Sequence, residues 1–192
     1  MCALGVILQK KGGRYEMTAK NICYVAMATA LIAVCSWLCI PIGTTTLTLQ
    51  ILAVFFLSGV LGVKRATLAV TAYLILGAVG VPVFAGFTGG IGKFFSPVGG
   101  YLFSFLFIAP FCSWLCEKWG KTSFWKNAAV FLLGLAFAYA AVTVWVVILS
   151  GMEGAPIALG AAVAVWVLPY LPLDICKVFV AAFLVGKLRG KI

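Results

Sequence analysis

Positive charge is placed along this chain in a way that leaves few folds open to it. Apolar blocks run at about 20–40, 48–61, 66–80, 99–116 and 127–149, with a last block ending near 188. Lys10, Lys11, Arg14 and Lys20 precede the first block. Lys64 and Arg65 lie between the second and third, Lys118, Lys121 and Lys126 between the fourth and fifth, and Lys187, Arg189 and Lys191 after the sixth. The gaps in between carry only Lys93 and Glu153 as charged residues. Basic residues are retained on the cytoplasmic side of a bilayer. The alternation therefore predicts an all-α integral protein of the cell membrane with six transmembrane helices and both termini cytoplasmic. Lys177 falls inside the last block and requires a separate explanation.

Composition agrees with this reading and removes several alternatives. With 65% hydrophobic and 9% charged residues, a soluble domain of 192 residues could not cover its own surface. Each crossing takes about 20 apolar residues, so six crossings nearly exhaust the chain. That predicts one transmembrane domain over 20–192, preceded by a cytoplasmic extension over 1–19, with no room for a soluble catalytic module. The formal charge of +10 would suit nucleic acid if it formed one patch. It is instead divided among short clusters flanking spans, where it meets anionic membrane lipid. The seven cysteines form no CxxC and there is no histidine, which argues against a metal site.

Local signals refine the path. Asn21 to Ile40 reads as the first span, and Ala26 and Ala30 form a small-xxx-small pair on one face. Such a pair admits close packing, either within the chain or against a partner. The uncharged gap Pro41–Thr46 leads to Gln50, which is either interfacial or directed into a cavity. Gly59–Arg65 reads as a tight cytoplasmic turn. Residues 83–101 form a long outer loop, aromatic and rich in glycine but poor in charge. Disordered linkers are polar, so this loop is expected to fold back as a lid or pocket wall. Gly92-Lys93 is not a phosphate-binding loop, because Phe87 and Phe94 stand where a glycine and a hydroxyl are required. Pro169 and Pro172 predict an outer interfacial helix near 157–167, a break, and a last span from Pro172 to about Lys187.

That last span places Asp174 in its opening turn, with Lys177 three residues on and on the same face. Charges at membrane depth are costly and usually face a cavity. The pair is either a self-neutralising packing device or an anchor for a ligand that carries both N–H and C=O groups. Lys93, basic and predicted to lie outside, is either interfacial or a receiver for an anionic group. Phe84, Phe87, Phe94, Tyr101, Trp166 and Tyr170 are candidates to line an apolar cavity. Nothing suits catalysis: Asp174 has no second carboxylate within a span, and no serine adjoins Lys177 in sequence.

These blocks resemble the BioY family, the biotin-specific S components of energy-coupling-factor transporters. The resemblance rests on Thr48-Leu49-Gln50, Gly59–Lys64, Tyr73, Leu76–Gly86, Gly89-Gly90, Ser96–Tyr101 and Pro169–Lys177, in that order. It implies an S-component fold that captures biotin at the outer face and has no cofactor of its own. Biotin would then be delivered inward with a transmembrane coupling subunit and two ATPases, which carry the ATP. It implies ligand contacts by Asp174 and Lys177, with the rest of the site drawn from Lys93, Gln50, Tyr73, Phe84, Gly86, Gly89, Gly90, Tyr101 and Tyr170. It also implies docking of the coupling subunit at Ala26 and Ala30. An S component for another vitamin, and a membrane assembly subunit without a ligand, are the alternatives.

Overall fold

The computed structural model describes residues 8–11, 14–17, 19–42, 45–119 and 123–189; Lys121 and Lys191, counted above as cytoplasmic, lie outside them. Helix α1 spans Ala19–Trp37 and α2 Gln50–Val79. They are followed by α3 (Gly99–Lys118), α4 (Phe124–Met152), the short α5 (Leu159–Trp166) and α6 (Leu171–Leu188). Among the described residues four helices are long and apolar enough to cross a membrane, and α5 with α6 forms a fifth candidate bent by 59°. Two antiparallel ribbons complete the fold: β1 (Leu8–Lys11) with β2 (Arg14–Met17), and β3 (Cys39–Ile42) with β4 (Thr45–Thr48).

Helix α2 is continuous only in its hydrogen-bond pattern. Gly62 interrupts it at φ 76°, ψ 169°, a backbone conformation essentially reserved for glycine. Gln50 Nε2 donates to the Tyr73 hydroxyl at 2.7 Å. A straight helix rising 1.5 Å per residue would hold these residues roughly 35 Å apart. The chain therefore reverses at Gly62, and α2 is a hairpin of two antiparallel arms, 50–61 and 63–79. With this reversal the described residues hold six helical rods besides the short α5, and the turn falls where Gly59–Arg65 predicted one. The arm 63–79 is capped from outside, since the Glu117 carboxylate on α3 accepts the Val63 N–H at 3.0 Å.

The arms of α2 pack on α1, α3 and α6, and α4 closes the bundle against α3 and α6. Phe55 and Phe131 stack at 5.1 Å between centroids and are fully buried with Ile108, Val178 and Val185. Burying a side chain of this size stabilises by about 1.5–3 kcal/mol relative to leaving it in water. In a bilayer, close packing rather than water exclusion must hold such helices together. The outward faces are apolar as well: Met27, Phe107, Trp125, Val144 and Phe183 are all more than half exposed, which suits lipid contact.

The segment 39–48 departs from the sequence reading. The first span was expected to run to Ile40, but α1 stops at Trp37 and Cys39–Ile42 pairs with Thr45–Thr48. β-branched Ile40, Ile42, Thr45, Thr46 and Thr48 favour extended backbone. Proline in the segment is compatible with an edge strand. The long loop folds back as expected. Gly77 is the seat: an added Cβ there would overlap the Phe84 ring, and its carbonyl accepts the Gly90 N–H at 2.7 Å. Trp37 Nε1 donates to the Pro82 carbonyl at 2.9 Å, and Phe94 packs edge-on to Phe84 at 5.8 Å.

Candidate functional site

The opening turn of α6 carries the charged centre. The chain bends between α5 and α6 where Pro169 and Pro172 predicted a break, and proline at the start of α6 leaves Asp174 in its first turn. Asp174 and Lys177 are only 5% and 6% exposed. Lys177 Nζ lies 2.7 Å from Asp174 Oδ1 and donates to the Thr48 carbonyl on β4 at 2.7 Å. Asp174 Oδ2 accepts the Tyr139 hydroxyl from α4 at 2.8 Å. Buried charges persist only when paired and hydrogen-bonded, and here three elements supply the partners. An ammonium has three donors and a carboxylate about four acceptor sites. Two of each are taken among the described residues, so a donor and acceptor positions remain for a ligand.

Both residues line a cavity of about 390 Å³. Its walls come from β4 (Thr46, Thr48), the start of α2 (Gln50, Ile51) and the long loop (Phe84, Ala85, Thr88, Lys93, Val98). The start of α3 adds Tyr101, Leu102 and Phe105, and the bend before α6 adds Trp166 and Tyr170. The Tyr101 hydroxyl donates to the Trp166 carbonyl at 2.7 Å, tying α3 to α5. Gln50 gives one Nε2 hydrogen to Tyr73, and its carbonyl oxygen and second N–H have hydrogen-bonding capacity left. Among the described residues Lys93 makes no ion pair. Mostly apolar walls with a few convergent polar groups are the usual make-up of a small-molecule site.

Eight residues singled out in sequence thus meet in one cavity: Asp174, Lys177, Lys93, Gln50, Phe84, Tyr101, Trp166 and Tyr170. Tyr73, Gly86, Gly89 and Gly90 are not in its lining. Tyr73 is fully buried behind Gln50, its hydroxyl within bonding distance of Ser36 Oγ and the Val83 carbonyl. The glycines shape the loop instead. Gly86 and Gly90 take positive φ, and Gly89 lies so close to the Gly80–Val81 backbone that a side chain would collide with it. Phe87 and Phe94 are outside the lining as well: Phe87 is 65% exposed and stacked on Trp37 at 5.0 Å, and Phe94 packs between Phe84 and Phe103. The residues not singled out are Thr46, Ile51, Ala85, Thr88, Val98, Leu102, Phe105 and, behind Asp174, Tyr139. Of these, Ala85 and Val98 lie within the blocks that resemble the family and Thr46 ends the uncharged gap Pro41–Thr46; the others carried no sequence signal.

On the lateral surface, Ala26 and Ala30 are exposed while Ala28, Thr29 and Ile32 of the same helix are buried. Helix α1 thus packs on α2 through a different face and leaves the alanine pair open.

Fold and cavity together define a polytopic helical membrane protein that encloses an apolar chamber with a charged end. The sequence pattern of the BioY family matches residues 9–192, and the chain belongs to that family. It is 40% identical over 161 residues to the biotin transporter BioY of Thermotoga maritima, covering 84% of this chain and 90% of that one. It is 37% identical over 174 residues to the probable biotin transporter BioY of Pyrococcus horikoshii, covering 91% and 99%. Its fold is similar to a crystallised S component for biotin from an ECF-type ABC transporter. The TM-score is 0.80 at 30% identity, covering 91% of this chain and 95% of that one.

Proposed function

We propose that this chain is the biotin-binding S component of an energy-coupling-factor transporter and that biotin occupies the cavity. The observation that carries this reading is the buried Asp174–Lys177 pair lining an apolar chamber, within a fold similar to a biotin S component. Biotin is chemically suited to that chamber. Its ureido ring offers two N–H donors to a carboxylate and a C=O acceptor to an ammonium. Its fused rings and alkyl chain suit the aromatic and aliphatic walls, and its carboxylate suits Lys93 or backbone donors of the long loop. Capture precedes transport, and transport needs no chemistry in this chain, since its partners hydrolyse ATP. Equilibrium binding of a panel of water-soluble vitamins to the detergent-purified protein tests the reading. Biotin alone should bind tightly, and tight binding of another vitamin, or of none, would overturn it.

The open Ala26–Ala30 face supports docking of the coupling subunit on α1, because small side chains let a partner helix approach closely. Replacing both with Leu should abolish co-purification with that subunit while biotin still binds; loss of biotin binding as well would refute the docking role. The charge alternation supports cytoplasmic termini. On a background without the native cysteines, a thiol probe that cannot cross the membrane should label a cysteine placed at Gly151 and miss one placed at Lys121; the reverse pattern would exclude this orientation.

A further inference from the structure

Tyr139 occupies a position that neither the cavity lining nor the sequence motifs bring forward. It sits midway along α4, is 8% exposed and does not line the cavity. Its hydroxyl nevertheless lies 2.8 Å from Asp174 Oδ2, across the bundle and 35 residues away in sequence. Lys177 holds the other carboxylate oxygen at 2.7 Å. A carboxylate held at one oxygen only can turn about its terminal bond, where the torsional wells are broad. Held at both oxygens, by donors on different helices, its plane is fixed. Its remaining lone pairs then present one orientation to the cavity, and a ligand N–H meets an acceptor already in place.

We infer that Tyr139 is a positioning residue for ligand recognition, its hydroxyl locking the Asp174 carboxylate in the orientation that receives the ligand's N–H groups. The inference rests on the biotin reading given above. Tyr139 also contacts Tyr101, a wall residue, edge to face at 6.5 Å. That contact depends on the ring, and phenylalanine preserves it. Tyr139→Phe therefore isolates the hydroxyl.

The test is a double-mutant cycle, with biotin affinity measured on the full chain in detergent for the parent, Tyr139→Phe, Asp174→Ala and the two combined. Unfolding midpoints would establish that each is folded. Tyr139→Phe alone should weaken biotin binding about fivefold to tenfold, the effect of one hydrogen bond to a charged group. In the Asp174→Ala background the same change should have no effect beyond about twofold, because the carboxylate it positions is gone. Should Asp174→Ala not fold, Asp174→Leu, which likewise offers the hydroxyl no oxygen, takes its place in the cycle with the same expected result. Parent-like binding by Tyr139→Phe, or losses that multiply in the double variant, would overturn the inference and leave the biotin reading standing if Asp174→Ala has lost affinity. If Asp174→Ala itself binds biotin like the parent, the biotin reading of the site fails and the inference fails with it.

Discussion

The two ends of this bundle handle charge in opposite ways. At the end where α2, α3 and α6 begin, Asp174 and Lys177 are buried and hold each other at 2.7 Å, with Tyr139 and the Thr48 carbonyl completing the set. At the end where α3 and α6 finish, cations lie over aromatic rings at the edge of the fold. Lys118 sits 4.8 Å from the Trp114 centroid, Lys187 4.6 Å from Phe183, and Arg65 4.9 Å from Tyr24. Glu117 serves this end as a cap for Val63. Lys118 and Lys187 are exposed and keep access to water and headgroups, each such contact being worth about 0.5–1 kcal/mol, while half-buried Arg65 donates to Asn21 Oδ1 at 2.7 Å. Buried charges have no such outlet and persist only in a complete set of partners. The contrast sets charge at the edge of the bundle against charge buried among partners inside it.

The largest effect should come from breaking the buried set. Asp174→Asn and Lys177→Met each leave a buried polar partner unsatisfied, at about 1–3 kcal/mol or more for a charged group. Each should weaken biotin binding roughly tenfold or more, since 1.4 kcal/mol is one decade, as read by equilibrium binding to folded protein. At the other end, Gly62→Ala should act on stability alone. The backbone there has φ 76° and ψ 169°, and a Cβ would stand 2.6 Å from Glu117 Oε1. Strain of this kind costs of order 1–3 kcal/mol, so the unfolding midpoint in detergent should drop while biotin affinity holds. Loss of affinity at an unchanged midpoint would show that the two ends are not independent. The smallest effect belongs to Lys93→Ala. This lysine is only half-buried in the loop, and solvent screens it. Biotin affinity should fall less than for the helix variants, and an amide of biotin, lacking the carboxylate, should be unaffected.

How much of this was legible in the sequence differed from element to element. The break end was written plainly: Gly59, Gly62, Lys64 and Arg65 mark a turn between apolar blocks, and the chain reverses there. The start of α6 was equally plain, because Pro169, Pro172, Asp174 and Lys177 state a break, a first turn and an i,i+3 pair within a few residues. The 39–48 ribbon was not recognised, since Cys39–Ile42 is as apolar as the helix before it. The alternation of Thr46, Leu47 and Thr48 was the available clue to a strand. Tyr139 had no local signal at all, because its partner is fixed by helix packing and not by spacing. Glycines 86, 89 and 90 were readable as special but not in kind. Positive φ and close backbone contact explain them, and neither requires that they touch a ligand.

The central claim is that the Asp174–Lys177 pair anchors biotin and does more than neutralise itself inside the bundle. The variant that separates these roles is Asp174→Asn combined with Lys177→Met, because it removes both charges together and leaves neither unpaired. Biotin affinity of the folded double variant, set against the parent in the same detergent, is the measurement. The account predicts a loss of at least about tenfold with the unfolding midpoint close to that of the parent. A folded double variant that binds biotin like the parent would contradict it, and the pair would then be a device of packing alone.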